Sequence, residues 1–239
     1  MKNLLFKFIF ILHFLISTSL FGLTTKQESK DIPGWNYLYQ KDGITVYQES
    51  SHKNYYRAEA VIKENFFTVL AVASDIARRP EWVPNLKEST ILEGGVMGGL
   101  VLYEVFHLPW PATNRDVVIK CDIKKNYAKK NVLIAFESIT REDHPPSKGK
   151  IRVPEAKGEM EFSFIDEQTT KGRYQIQLDP GGTLPNFIVN FFIKKAPLDA
   201  IKGLIAQIKK TEGQYKEFID KHKSEADSIK VKEVPVSKP

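Results

Sequence analysis

Each of two apolar, strand-like runs carries one long charged residue: Glu104 within Val101–Phe106 and Lys120 within Val117–Ile123. Between the runs lie Pro109, Trp110, Pro111 and Asn114, then Arg115-Asp116. A carboxylate and an ammonium on paired strands have two uses. Facing inward they form a buried ion pair, which is costly to desolvate and weak evidence for stability. In an apolar cavity such a pair would anchor a ligand headgroup. Facing outward they are ordinary surface charges, and alternation along the strands leaves both arrangements open. Arg115-Asp116 reads in the same two ways, as a second anchor or as a salt bridge bracing the loop.

The remaining chemistry is thin. There is no Gly-x-Ser-x-Gly, Walker loop, dinucleotide fingerprint or His-Glu-x-x-His. His52, His107, His144 and His222 are scattered without metal-ligand spacing; only His107, at the start of the Trp110 loop, invites a functional reading. Gly94-Gly95 and Gly98-Gly99 read as turns, since no helix start follows to cradle a phosphate. Cys121 is the lone cysteine, set in an apolar strand with no base nearby, and reads as a small buried hydrophobe. No catalytic residue, metal or cofactor is expected.

These residues need elements to position them. Val, Tyr, Phe and Ile favour strands and the Pro/Asn segment favours a turn, so residues 100–122 read as a hairpin with an aromatic-tipped loop. Upstream, 44–48 and 55–62 alternate as strands after an Asp42-Gly43 turn. Asn65 is a plausible N-cap for a helix carrying Phe66, Phe67, Leu70 and Ala73, which Pro80 must end. Further strands fall at 86–95, 131–139, 151–153, 158–165 and 173–178. From Leu184 the period turns helical, and a stripe through Phe187, Phe191, Leu204, Ile208 and Phe218 predicts one long C-terminal helix with a weak point at Pro197. Helices do not alternate with strands, so the class is α+β: one curved antiparallel sheet wrapping the final helix.

The chain has 239 residues, 42% of them hydrophobic, with 35 basic and 29 acidic side chains giving a net charge of +6. The two signs are interleaved, so no basic stripe points to nucleic acid. Lys2 and Lys7, an apolar run to Leu23 and small residues near Ser19 and Gly22 describe a cleavable secretory signal. The expected divisions are a signal over 1–22, a flexible leader over 23–34, a folded domain over 35–222 and a disordered tail over 223–239. Export to a bacterial periplasm or beyond follows; an uncleaved membrane anchor is the less favoured alternative.

Four segments are similar to one family. They are a Trp followed by Asp42-Gly43-Ile44-Thr45-Val46-Tyr47, and Asp75–Trp82 (DIARRPEW). Then come Trp110-Pro111 with Asn114-Arg115-Asp116-Val117-Val118, and Asp179-Pro180-Gly181-Gly182 with Leu184-Pro185 and Asn190. Together they resemble the START domain, the steroidogenic-acute-regulatory-related lipid-transfer module, in its bacterial form. The resemblance implies a helix-grip fold with a tunnel for one lipid, lidded by the C-terminal helix and neighbouring loops. It places Glu104 and Lys120 near where some members keep a buried acid–base pair. Those members use arginine as the base; lysine offers a point charge without the bidentate fork.

The expected function is an exported, non-enzymatic lipid-binding or lipid-transfer protein for a sterol, phospholipid or other lipid. Glu104, Lys120 and Arg115 would select the headgroup, and Trp110 would sit at the mouth. The expected wall comprises Trp82, Tyr103, Phe106, Phe136, Phe162 and Tyr174 from the sheet side. Phe187, Phe191, Leu204 and Ile208 would supply the lid helix. Expected partners are a lipid ligand and, transiently, a membrane surface, with no nucleic acid and a monomeric state. Two alternatives stand: a cavity enzyme of the cyclase or aromatase type using Glu104, His107 or Tyr103 as acid–base groups, or a module binding a partner protein through the basic tail.

Overall fold

The computed structural model describes residues 30–96, 98–189 and 193–233. The expected signal segment and Phe191 lie outside the described residues.

β1 (Trp35–Lys41) and β2 (Ile44–Glu49) are joined by Asp42-Gly43, with φ of 52° and 77°, the two positive values that a tight hairpin turn requires. β3 (Tyr55–Ile62) completes an antiparallel meander. α1 (Phe66–Ser74) starts where the Asn65 side chain accepts the Phe67 N–H at 2.9 Å. A 3₁₀ helix (Ile76–Glu81) follows and contains Pro80. Seven strands come next: β4 (Leu86–Gly95), β5 (Gly99–Phe106), β6 (Asn114–Asn126), β7 (Asn131–Ser138), β8 (Lys150–Arg152), β9 (Glu155–Asp166) and β10 (Thr169–Asp179). The chain then forms a single turn, α2 (Asn186–Ile188), and two longer helices, α3 (Ala196–Lys210) and α4 (Lys216–Glu233).

One ten-stranded sheet runs in the order β1-β2-β3-β10-β9-β7-β6-β5-β4, with β8 added in parallel to β6. This is the expected α+β architecture, a large curved antiparallel sheet with C-terminal helices. α3 lies against its concave face. Leu198 and Ile201 pack on Ile44, Val46, Ala58 and Ala60. Leu204 and Ile208 join Phe66, Leu70, Trp82 and Phe162 in the main core. The approach is close: a Cβ on Gly203 would meet the Trp82 carbonyl oxygen at 2.0 Å, so only glycine fits there.

Three expectations fail here. β1 is an extra edge strand. Its aromatic alternation is broken by a register shift between Tyr37 and Tyr39, which conceals it in the sequence. The single C-terminal helix is divided, and not at Pro197. Pro197 falls in the first turn of α3, where its missing N–H is harmless. The break comes after Thr211, at Gly213 with φ of 76°. Finally, the expected tail is helical as far as Glu233. Phe218, Ile219, His222 and Ala226 recur at helical spacing and pack against the core beside α1 and Tyr127. His222 stacks on Phe218 at 4.2 Å, and its Nδ1 lies 3.2 Å from the Tyr127 hydroxyl. Lysines and glutamates on the outer face mask that narrow stripe. Among the described residues no helix is long and apolar enough to cross a membrane.

Candidate functional site

The concave face of β5, β6, β7, β9 and β10 does not meet the helices everywhere. Between it and α1, the 3₁₀ helix, α2 and α3 lies a cavity of about 450 Å³. Its wall is mainly apolar. Leu100, Leu102 and Phe106 project from β5, Val117, Ile119 and Cys121 from β6, and Phe136 from β7. Leu184, Ile188 and Ile193 close it from the α2 segment.

Strand register decides which charges enter. β5 and β6 pair Glu104 with Val117 and Val101 with Lys120. Val117 and Lys120 are three positions apart on one strand, so they face opposite sides of the sheet. Glu104 therefore points into the cavity wall at 1% exposure, and Lys120 points to solvent beside Asp122 with its side chain 49% exposed. The expected Glu104–Lys120 pair does not exist.

The base that meets Glu104 is Arg79. Its Nε donates to Glu104 Oε1 at 2.9 Å, and Ser89 Oγ on β4 donates to the same oxygen at 3.0 Å. Arg79 comes from the 3₁₀ helix, where successive residues point about 120° apart. Its neighbour Arg78 turns outward to Glu81 at 2.7 Å and to Gln214 at 2.6 Å. Glu81 in turn accepts from Gln207 and Lys210 of α3, at 3.1 and 2.6 Å. The outer ion pairs fasten the 3₁₀ helix to α3 and leave Arg79 facing inward. Burial opposes the Arg79 charge; the charge of Glu104 and its hydrogen bond outweigh that, and hold the guanidinium above the usual arginine range. Arg79 Nη1 and Nη2 meet no protein acceptor among the described residues, and the side chain keeps 18% exposure while lining the cavity. Tyr174 lines the same region, and its hydroxyl likewise meets no protein partner among the described residues. Burial pushes its phenol well above the usual range. Cys121 is a buried wall residue whose thiol burial pushes up to about 12, which suits a hydrophobe and not a nucleophile.

Arg115 also lines the cavity, and each of its three guanidinium nitrogens donates to a backbone carbonyl. Nη1 donates to the Thr113 carbonyl, Nε to Pro180 at 3.1 Å and Nη2 to Gly181 at 2.8 Å. It ties the Trp110 loop to the Pro180-Gly181 turn and so clamps this end of the cavity. Asp116, on the opposite face, ignores Arg115. It accepts from Arg152 Nε and Nη2 at 2.9 and 3.1 Å, from the Ser147 N–H at 3.1 Å and from the Tyr103 hydroxyl at 3.2 Å.

Of the expected wall residues, Glu104, Phe106, Arg115, Phe136 and Tyr174 line the cavity. Trp82, Phe162, Leu204 and Ile208 are core residues behind it, because α3 presses that side flat against α1 and the sheet. Tyr103 faces the outer side of β5 with Asp116. Trp110 is 90% and Phe187 61% exposed, so both stand outside the cavity. Their chain neighbours Leu108 and Ile188 face into it. His107 is exposed and Tyr103 lies on the far face, so neither meets Glu104. Sequence reasoning missed Arg79. The only signal was a pair of adjacent arginines ahead of Pro80, whose directions must differ on a 3₁₀ helix.

A curved sheet gripping a helix over a mainly apolar cavity defines a helix-grip protein. The START domain family model matches residues 23–212, and the chain belongs to that family. An uncharacterized Pseudomonas aeruginosa protein is 29% identical over 192 residues, covering 79% of this chain and 92% of that one. START domain-containing protein 10 of Mus musculus is 27% identical over 201 residues, which cover 79% of this chain and 65% of the mouse protein. The crystal structure of a STAR-related lipid transfer protein fragment from Xanthomonas axonopodis superposes with a TM-score of 0.65 at 26% identity, covering 74% of this chain and 99% of that one.

Proposed function

We propose that this protein is an exported, non-enzymatic lipid carrier that holds one hydrophobic molecule in the sheet–helix cavity. One observation carries the reading: a mainly apolar cavity of about 450 Å³ has the Arg79–Glu104 ion pair in its wall. That volume falls in the range of small-ligand sites, and a few convergent polar groups in an apolar wall fix a ligand's orientation. Burial of the ligand's hydrocarbon supplies affinity, at roughly 25 cal/mol per Å².

Loading requires a membrane. Trp110 and Phe187 stand on two segments whose inner residues line the cavity and which Arg115 ties together. Exposed aromatics of this kind favour the membrane–water interface. The pair supports docking of this end on a bilayer, with α2 and its flanks moving aside. The amino-terminal segment supports export.

The test is to purify the protein from its host without denaturant and identify co-purifying small molecules by mass spectrometry. One lipid per chain is expected, together with an N-terminus near residue 20 or 23 in the exported fraction. A chain without any lipid, also after incubation with host membranes, overturns the carrier reading.

A further inference from the structure

Resting on the carrier reading, the run of the cavity along β6 bears on the length of its cargo. β6 contributes Arg115, Val117, Ile119, Cys121, Ile123 and Lys125 to the wall, every second residue and so one face of the strand. From Val117, the partner of Glu104, to Lys125 is about 26 Å of strand at about 3.3 Å per residue. Half of a bilayer's hydrocarbon core, the depth that one ordinary acyl chain fills, is about 15 Å. Charge is unevenly spread along this path. Arg115, Arg79 and Glu104 stand toward the Trp110 end, and Asp199 stands in the first turn of α3, which follows the α2 segment. Ile119, Cys121 and Ile123 make the next stretch apolar, and Lys125 is the single charged wall residue at the far end among the described residues.

Two of the described wall residues are exposed to solvent. One is Asn85, whose carbonyl accepts the His107 N–H at 2.8 Å at the Trp110 end. The other is Lys125, and strand lengths explain why. β5 pairs with β6 only from Phe106–Arg115 to Leu100–Cys121, whereas β6 continues beside β7 to Asn126. Ile123 and Lys125 therefore have no strand on the β5 side. Val96, which follows β4, and Ile76, at the start of the 3₁₀ helix, cover that side, and both are only partly buried.

We infer that the cavity has a second mouth, ringed by Ile76, Val96, Ile123 and Lys125, and that its cargo is a long-chain lipid whose tail passes out there. The Lys125 stem lies along the emerging hydrocarbon while its ammonium stays in water. In a cavity sealed at that end, surplus methylenes would force the wall apart. Through an open mouth they leave the packing unchanged, so the protein sets no upper limit on chain length.

The probes are tetradecanoate, tetracosanoate and a tetracosanoate carrying a fluorescent nitrobenzoxadiazole group on its last carbon, each offered to the full chain from phosphatidylcholine vesicles. The tail-labelled acid is expected to bind. Its emission is expected to be quenched by a nitroxide attached at Lys125→Cys and not by one attached at Trp110→Cys. Ile123→Trp, which narrows the second mouth, is expected to lower the ratio of bound tetracosanoate to bound tetradecanoate at least about tenfold, the scale of an overpacked core. Binding of tetradecanoate without the tail-labelled acid, or quenching from Trp110→Cys alone, overturns this inference and leaves the carrier reading standing. So does a folded Ile123→Trp chain with an unchanged ratio. Failure of all three probes to bind overturns both. If Ile123→Trp does not fold, the two nitroxide positions decide alone.

Discussion

Glu104 and Asp116 sit on adjacent strands, both are shut away from solvent, and each meets an arginine from outside the hairpin. They differ in completeness. Asp116 grips Arg152 through both carboxylate oxygens and also takes the Ser147 N–H and the Tyr103 hydroxyl. Arg152 has its further donors on the His144 and Pro145 carbonyls, at 3.1 and 3.0 Å. Both carboxylate oxygens and every guanidinium nitrogen are bonded, so this cluster on the outer face is a brace that pins the 139–152 segment to the sheet. Glu104 holds Arg79 by one bond and leaves donors facing an apolar cavity. A buried pair bonded at both carboxylate oxygens serves structure; a pair held by one bond in a cavity wall is a candidate for recognition. The faces of one hairpin thus separate stability from recognition.

Removing one partner of the complete pair should do the most damage. Asp116→Ala strands Arg152 and should cost about 3–5 kcal/mol, read by urea denaturation. The loss should be the same with or without lipid; a loss under about 1 kcal/mol would show that the brace is not needed. The same carboxylate predicts a pH effect. Burial opposes its ionisation, but Arg152 and Ser147 outweigh that and hold Asp116 below its ordinary 3.8. Its contribution is therefore complete above about pH 4 and fades as pH falls through the native value. Asp116→Asn should flatten this part of the acid unfolding curve, and an unchanged curve would assign the acid sensitivity elsewhere.

Glu104→Gln should be milder, at about 1–2 kcal/mol without ligand, since the amide still accepts from Arg79 and Ser89. Its main effect should fall on lipid preference, and a variant as unstable as Asp116→Ala would erase the contrast between the pairs. Trp110→Ala should change stability by no more than about 0.5 kcal/mol, because the ring touches solvent. It should nonetheless slow lipid transfer between vesicles severalfold; an unchanged rate would remove the loop from docking.

Much of the fold is legible in the residues. Alternation marks β2, β3, β4, β5 and β7, and the change of period marks α1 and α3. What escaped has local causes. A register shift hides β1, and a charged outer face hides the stripe that docks α4. The cavity residues Phe106, Phe136 and Tyr174 follow from strand faces. The pairing of Glu104 does not, because the faces of Glu104 and Lys120 depend on hairpin register, which the residues leave open. Arg79 was legible only as one of two arginines, since the outward turn of Arg78 is held by Glu81 next to it and by Gln214, with α3 fastened to Glu81, and the last two are distant in sequence.

The central claim is that the cavity holds one lipid with its polar end on Arg79 and Glu104. A crystal structure of the lipid-loaded protein tests it most directly. The account predicts one ligand inside the sheet–helix cavity, with a polar atom at hydrogen-bond distance, about 3 Å, from Arg79 or Glu104. A ligand whose polar end lies at Arg115 or outside the mouth, with Arg79 facing only hydrocarbon, would contradict it.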